Sequence, residues 1–301
     1  MFDVTLGRRF FNCTLLDKND KPITIKLDPY IYGILNTTIL KKEHKWHNMI
    51  LVTGNVGDGK STLVEGMTAV LEALEGRKIS FDNVCWRTEK LIELTDRDDN
   101  FNQTIWWDES IQGASGKSMA LTSVGDQLKK ALVTKRFKRH TYIFVIDEIE
   151  EYSKKLIKMC DCWIHVYSKG LTRGKFKAYT DKRKILRLYD LFKIQKATWA
   201  TKEVGKIKAN WGGYFHDYCG IFLDEKEYNK RKLEETKQAE VQDKKSDREL
   251  KSLAGMLSKD ISQKEIANMW GVEPSYISQL KSKLKKRGDI VDKFPSLLPK
   301  L

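Results

Sequence analysis

Met49-Ile50-Leu51-Val52-Thr53-Gly54-Asn55-Val56-Gly57-Asp58-Gly59-Lys60-Ser61-Thr62 is the stretch whose reading decides the fold. An apolar run reads as a buried strand and breaks into a loop holding three glycines. Leu63-Val64-Glu65-Gly66-Met67-Thr68-Ala69-Val70-Leu71 then follows with helical periodicity. Strand, loop and helix in that order are the context that the G-x-x-x-x-G-K-[ST] pattern requires, and Gly54, Gly59, Lys60 and Ser61 fill it. The spacing has a chemical reason. Glycines let the backbone turn so that successive N–H groups point inward at phosphate oxygens. A lysine supplies a point charge to the β- and γ-phosphates, and the hydroxyl after it can ligate Mg²⁺. The helix N-terminus faces the same anion. The predicted nucleotide-binding residues are therefore Gly54, Asn55, Val56, Gly57, Asp58, Gly59, Lys60, Ser61 and Thr62, with Mg²⁺ on Ser61.

Outward from this loop, composition sets the frame. A chain of 301 residues is long enough for a large core and a small accessory domain. Its net charge of +14 predicts attraction to polyanions, of which nucleic acid is the commonest. No stretch approaches the ~18 apolar residues of a spanning helix, so stable membrane insertion is not expected. Met1-Phe2-Asp3-Val4 lacks the apolar region of a signal peptide. The expected location is the cytoplasm, or a host cytoplasm for a protein of a virus or plasmid. Five scattered cysteines follow no disulfide framework. Cys160-Asp161-Cys162 fits no zinc spacing and reads as buried reduced thiols at a strand start.

Residues 1–45 read as a β-rich lead-in. Strands are predicted near residues 10–15 and 23–25, and a helix over 30–40 with Asp28 as N-cap and Pro29 at its first position. Beyond the loop, two apolar strands end in an acidic pair: Thr104-Ile105-Trp106-Trp107-Asp108-Glu109 and Tyr142-Ile143-Phe144-Val145-Ile146-Asp147-Glu148. A P-loop hydrolase needs such a carboxylate to hold Mg²⁺ through water, and a neighbouring one can polarise the attacking water. A Gly-Ser loop and a helix over 121–137 follow the first pair and lead into the second strand, a full β-α-β step. Only a short helix over 150–159 follows the second pair. That difference assigns metal to Asp108 and water activation to Glu109, with residues 142–146 as a sensor strand and Asp147 on the γ-phosphate side. The reverse order would hand both roles to Asp147 and Glu148. The predicted catalytic residues are Glu109, Lys60 and Asp108.

Basic residues crowd Lys129 to Arg139 and Lys169 to Arg187, the second run interleaved with Phe176 and Tyr179. Such runs serve either as a phosphate-tracking surface or as a solvated face. Residues 225–248 are charged and poor in apolar side chains, which suggests a linker helix or tether. From 249 the pattern changes. Ser262-Gln263-Lys264-Glu265-Ile266-Ala267-Asn268-Met269-Trp270-Gly271-Val272-Glu273-Pro274-Ser275-Tyr276-Ile277-Ser278-Gln279-Leu280 reads as helix, tight turn, helix. Ile266, Val272, Ile277 and Leu280 fall at core positions. Ser275, Tyr276, Ser278, Gln279 and Lys281 point outward, polar groups for base edges ahead of a basic end for phosphate. Asp289-Ile290-Val291 reads as the start of a short wing. A plain helical hairpin that docks protein is the other use of such a pattern.

The predicted class is α/β: a P-loop nucleoside triphosphatase with a mainly parallel sheet over residues 46–224, then a small all-α helix-turn-helix domain over 249–301. Over residues 45–230 the chain resembles P-loop ATPases of the FtsK/HerA type, a group that includes zonula-occludens-toxin-like ATPases of filamentous phages and related proteins of mobile elements. Gly54 to Ser61, Trp107-Asp108-Glu109, Trp163-Ile164-His165-Val166 and Gly174-Lys175-Phe176-Lys177-Ala178-Tyr179 carry the likeness. It implies ATP and Mg²⁺ as cofactors, roles in hydrolysis for Lys60, Ser61, Asp108 and Glu109, and a homo-oligomeric ring such as a hexamer. It also implies an arginine donated in trans, for which Arg136, Arg139 and Arg173 are the candidates, and a DNA motor for packaging, transfer or segregation. Two departures stand out. Asp147 occupies the place where the group often has Gln or Asn, and the membrane anchor of the toxin-like proteins has no counterpart. The C-terminal segment is similar to the winged-helix domain of FtsK translocases. Archaeal Orc-type initiators of the AAA+ class also join an ATPase to such a domain, so an initiator or loader, or an ATP-switched DNA-binding regulator, stands as the alternative.

Overall fold

A computed structural model describes residues 3–6, 10–46, 48–97, 101–108, 130, 132–147, 149–170, 172–285 and 288–294. The chain divides into two compact units, Met1–Lys232 and Leu233–Leu301.

In the first unit, β1 (Asp3–Leu6), β2 (Phe11–Leu16) and β3 (Pro22–Leu27) form a small antiparallel sheet. Asp28 caps α1 (Pro29–Glu43) by accepting the Tyr30 N–H. Pro29 sits at the first helical position, where its missing N–H costs nothing. β4 (Asn48–Thr53) is buried along its whole length and feeds the glycine loop and α2 (Lys60–Leu74). Next come β5 (Val84–Cys85), α3 (Thr88–Asp96), β6 (Thr104–Asp108) and β7 (Thr141–Ile146). They are followed by α4 (Lys154–Ile157), β8 (Cys162–Lys169), β9 (Thr172–Tyr179), α5 (Lys182–Gln195), α6 (Lys202–Gly205) and β10 (Trp211–Tyr214).

Among the described residues the large sheet has seven strands in the order β10-β9-β8-β4-β7-β6-β5. The five strands from β8 to β5 run parallel, and β9 and β10 extend the β8 edge antiparallel. The fold is thus mixed α/β around a mostly parallel sheet. Near-continuous apolar strands are what a sheet covered on both faces needs. One face carries Met49, Leu51, Trp107, Phe144 and Trp163 into a core with Leu188 and Phe192 of α5. α2 packs against β4, β6 and β7.

Two readings of the sequence change here. Phe176 and Tyr179, which alternate with lysines along β9, are fully buried core residues. The helix expected over 150–159 shrinks to α4 with a 3-10 turn, Ile149–Glu151, ahead of it. The Gly-Ser loop at 113–118 and most of the helix expected over 121–137 lie outside the described residues.

The charged segment after 224 is one continuous helix, α7 (Glu225–Ser258), which begins in the first unit and continues into the second. The second unit also holds α8 (Gln263–Trp270), α9 (Pro274–Leu284) and the short α10 (Gly288–Val291). Leu250, Leu253, Leu257, Ile266, Ile277, Leu280 and Leu284 form its core. Ser262 and Glu265 make a reciprocal capping box at the start of α8, and Gly271 ends that helix with φ of 64°. The wing expected from Asp289 is instead a helical turn. Ile290 and Val291 are both buried, which adjacent side chains of a one-faced strand cannot be.

Candidate functional site

The glycine loop emerges at the C-terminal end of β4, between the ends of β7 and β8. Gly57 and Gly59 have φ of 85° and 94°, a region that side chains avoid. Gly54 is there for a different reason: a Cβ would lie 2.4 Å from the Val166 carbonyl oxygen of β8. Asp58 ties the loop together, accepting the Asn55 N–H at 2.9 Å and the Ser168 hydroxyl at 2.6 Å. Asn55, Val56 and Gly57 form the exposed tip, with Val56 at 88% exposure. Lys60, Ser61 and Thr62 make up the first turn of α2, whose leading N–H groups have no partner within the helix.

The Lys60 ammonium is buried. It donates to the Gly54 and Asn55 carbonyls at 2.7 and 3.0 Å and pairs with Asp147 at 2.7 Å. Ser61 donates its hydroxyl to Asp108 Oδ2 at 3.1 Å. The loop thus brings both strand-end aspartates to neighbouring side chains of one helical turn. Asp108, fully buried, meets the hydroxyl; Asp147, on the exposed boundary, meets the ammonium. Glu109 and Glu148 lie outside the described residues.

Three residues that sequence reasoning missed complete the Asp108 end. Tyr228 and Lys232, in the first turns of α7, both donate to Asp108 Oδ2, Lys232 at 3.2 Å. Burial first, and then the adjacent Asp108, hold the Tyr228 phenol far above its ordinary pKa, so it stays a donor. Trp106 stacks on the Tyr228 ring with centroids 5.4 Å apart. Nothing local in a charged helix marks Tyr228 or Lys232. Beside the loop, His165 of β8 shares a 3.1 Å hydrogen bond with Thr53 and stacks on Trp199. Burial, then Lys177, push its pKa down to about 3, so the ring is neutral.

On the sheet edge, Tyr167, Lys175 and Tyr214 sit side by side across β8, β9 and β10. Lys175 lies over the Tyr214 ring and Lys177 over Tyr167, at 5.5 and 5.3 Å. Arg173 opens β9 near the C-terminal end of β8, the end at which the glycine loop leaves β4. Arg136 and Arg139 precede β7, at the opposite end of the parallel strands.

In the second unit, Ser275, Tyr276, Ser278 and Gln279 are exposed on α9 and Lys281 is half-buried. Tyr276 donates to Glu249 at 3.2 Å and Ser278 to Gln263 at 3.1 Å. Ile277 and Leu280 are buried, and Val272 is partly so. Cys160 and Cys162 are buried, their thiols pushed up by burial, and among the described residues no group of His, Cys, Asp and Glu could hold a metal by itself. No described helix is long and apolar enough to cross a membrane.

No protein-family model matches the chain, and no curated protein does. Among solved structures, it is similar to the N-terminal domain of zonular occludens toxin from Neisseria meningitidis. The identity is 14%, over 48% of this chain and 91% of that one, with a TM-score of 0.35. So weak a likeness carries neither fold nor activity across; the strand order and loop geometry are the chain's own.

Proposed function

We propose that the chain is a P-loop ATPase that works on DNA, and that its first unit hydrolyses MgATP. The observation that supports this reading most is the pairing of Ser61 with Asp108 beside the glycine loop. A hydroxyl and a carboxylate are hard oxygen donors suited to Mg²⁺, and they meet at the end of the loop whose N–H groups suit phosphate. Bound there, Mg²⁺ would neutralise charge on the β- and γ-phosphates. Lys60 contributes a second positive charge to the same oxygens. Its present partners are carbonyls and Asp147, all at the mouth of the loop. Strand order also supports Asp108 as the metal ligand and Glu109 as the residue that orients water. β7 lies between β4 and β6, so Asp147 ends the strand beside the loop while Asp108 is one strand further out, reached by Ser61.

DNA enters this reading through charge and through the second unit. The net charge of +14, the Lys175–Tyr214 and Lys177–Tyr167 pairs and Arg173 suit a polyanion with stackable bases. In the second unit, α8 and α9 joined at Gly271 leave Ser275, Tyr276, Ser278, Gln279 and Lys281 for base and phosphate contacts. A motor assembled as a ring, with Arg173 offered to a neighbour's nucleotide, is the leading form. An ATP-switched DNA-binding protein is the second reading, favoured by one observation: the helix that touches Asp108 runs on into the second unit.

ATP turnover measured with and without duplex DNA, alongside oligomer mass in MgATP, tests both. DNA-stimulated turnover and roadblock displacement support the motor; site-specific footprinting with little turnover supports the switch. Absence of nucleotide binding overturns both.

A further inference from the structure

Asp108 is a fully buried carboxylate, and such a group is tolerated only with charge and hydrogen-bond partners. Its Oδ2 has Ser61, Tyr228 and Lys232 as donors. Tyr228 and Lys232 are four residues apart on α7, so one face of the helix delivers both. The placement is well secured. Tyr228 is packed by Trp106 and Trp86, each with its centroid 5.4 Å away, and the Arg231 guanidinium lies 4.3 Å from the Phe81 centroid. Upstream, Glu65 of α2 accepts the Phe222 and Leu223 N–H groups at 2.9 and 3.0 Å. The Tyr218 ring fills the space left by Gly66, and its hydroxyl donates to the Lys26 carbonyl at 2.7 Å.

An ammonium therefore sits on the same carboxylate oxygen that, beside Ser61, is offered to a divalent cation if the first unit binds MgATP. We propose that Lys232 is a stand-in cation, an inference that rests on the proposed metal site. Its ammonium and Mg²⁺ compete for Asp108 Oδ2, and MgATP binding moves Lys232 and Tyr228 off the carboxylate and loosens the first two turns of α7. Competition follows from charge and space. Mg²⁺ would keep several of its waters, and whether it met Oδ2 directly or through one of them, that contact would take the place the Lys232 ammonium now holds. Because α7 continues unbroken to Ser258, the metal site controls how the helix entering the second unit is anchored. Reciprocity requires the converse. A ligand of the second unit that favours the released helix raises metal affinity by the same factor.

The test uses the full chain and a fluorescent ATP analogue, with Mg²⁺ titrated against wild type, Lys232→Met and Lys232→Arg. Methionine keeps an apolar stem without the charge, and arginine keeps the charge. Half-saturating Mg²⁺ is expected to fall about tenfold in Lys232→Met, within the usual size of such couplings, and to stay within about twofold of wild type in Lys232→Arg. Nucleotide affinity in EDTA is measured for all three chains, and each Mg²⁺ dependence is taken relative to it. Hydrogen exchange on wild type needs no variant: amides 226–232 should exchange faster with MgATP and not with ATP in EDTA. Unchanged or weakened Mg²⁺ dependence in Lys232→Met, or equal protection of those amides in both nucleotide conditions, overturns the proposal. A wild-type chain that binds no nucleotide fails earlier and differently, by removing the metal-site reading itself.

Discussion

The ends of β6 and β7 look alike as sequence and differ as structure. Each strand is apolar, wholly buried and closes on an acidic pair. Yet Asp108 is sealed under α7 with three donors on one oxygen, whereas Asp147 sits at the edge and pairs with Lys60. The difference teaches that the position of a strand in the sheet, rather than its apolar character, decides which carboxylate meets the hydroxyl of the loop. The more hydrophobic of the two strands carries the less buried acid.

The contrast is open to direct attack. The largest effect should come from the neighbours of the two aspartates: Glu109→Gln is expected to cut ATP turnover about 100- to 1,000-fold with nucleotide still bound, and Glu148→Gln to leave it within a few-fold. Steady-state turnover beside equilibrium nucleotide binding checks this, and the opposite pattern would exchange the roles of the strands. Asp108→Asn should weaken Mg²⁺-dependent nucleotide binding on the order of 10- to 100-fold, and Asp147→Asn by less than about tenfold. Mg²⁺ titration of both variants gives the ratio.

Burial against exposure also governs the response to acid. His140 and His165 are buried, and burial, the largest cause at each, pushes both pKa values down to about 3. Lys138 adds to the shift at His140 and Lys177 at His165. In the unfolded chain a histidine titrates near 6.5, so below that pH the unfolded state binds more protons than the folded one. Stability is then complete above pH 6.5 and declines as pH falls, by up to about 2.7 kcal/mol per pH unit while both rings stay neutral. Denaturant unfolding from pH 7 to pH 4.5 measures the slope; a flat profile would show that neither ring is held neutral. The smallest effect tests the anchoring of α7 ahead of Asp108. In Gly66→Ala the new Cβ would lie 2.4 Å from the Tyr218 ring. A loss of about 1–3 kcal/mol is expected by overpacking, seen as a lower thermal midpoint, while a neutral result would show that Tyr218 yields.

Much of this was legible beforehand because it is local. The glycine loop, the strand before it and the helix after it depend on glycine φ values and on apolar period, all within the contiguous stretch 48–74. The Asp28 cap and the turn at Gly271 are local in the same way. Lys175 and Lys177 show where that logic stops. Along β9 they alternate with aromatics, but strand alternation sends Phe176 into the core. The rings that meet the lysines are Tyr167 and Tyr214, on the strands to either side. Tyr228 and Lys232 were illegible for a stronger reason: they act on a residue 120 or more positions earlier.

By itself, then, the sequence determined a phosphate-suited loop, the apolar strands of a parallel sheet and a helical tail, since each follows from backbone freedom and hydrophobic period along the chain. Tertiary structure alone decided the strand order that sets Asp108 apart from Asp147, and the seat of α7 upon that carboxylate. Both depend on pairings between distant segments, where burial leaves a charged group only the partners that folding brings to it.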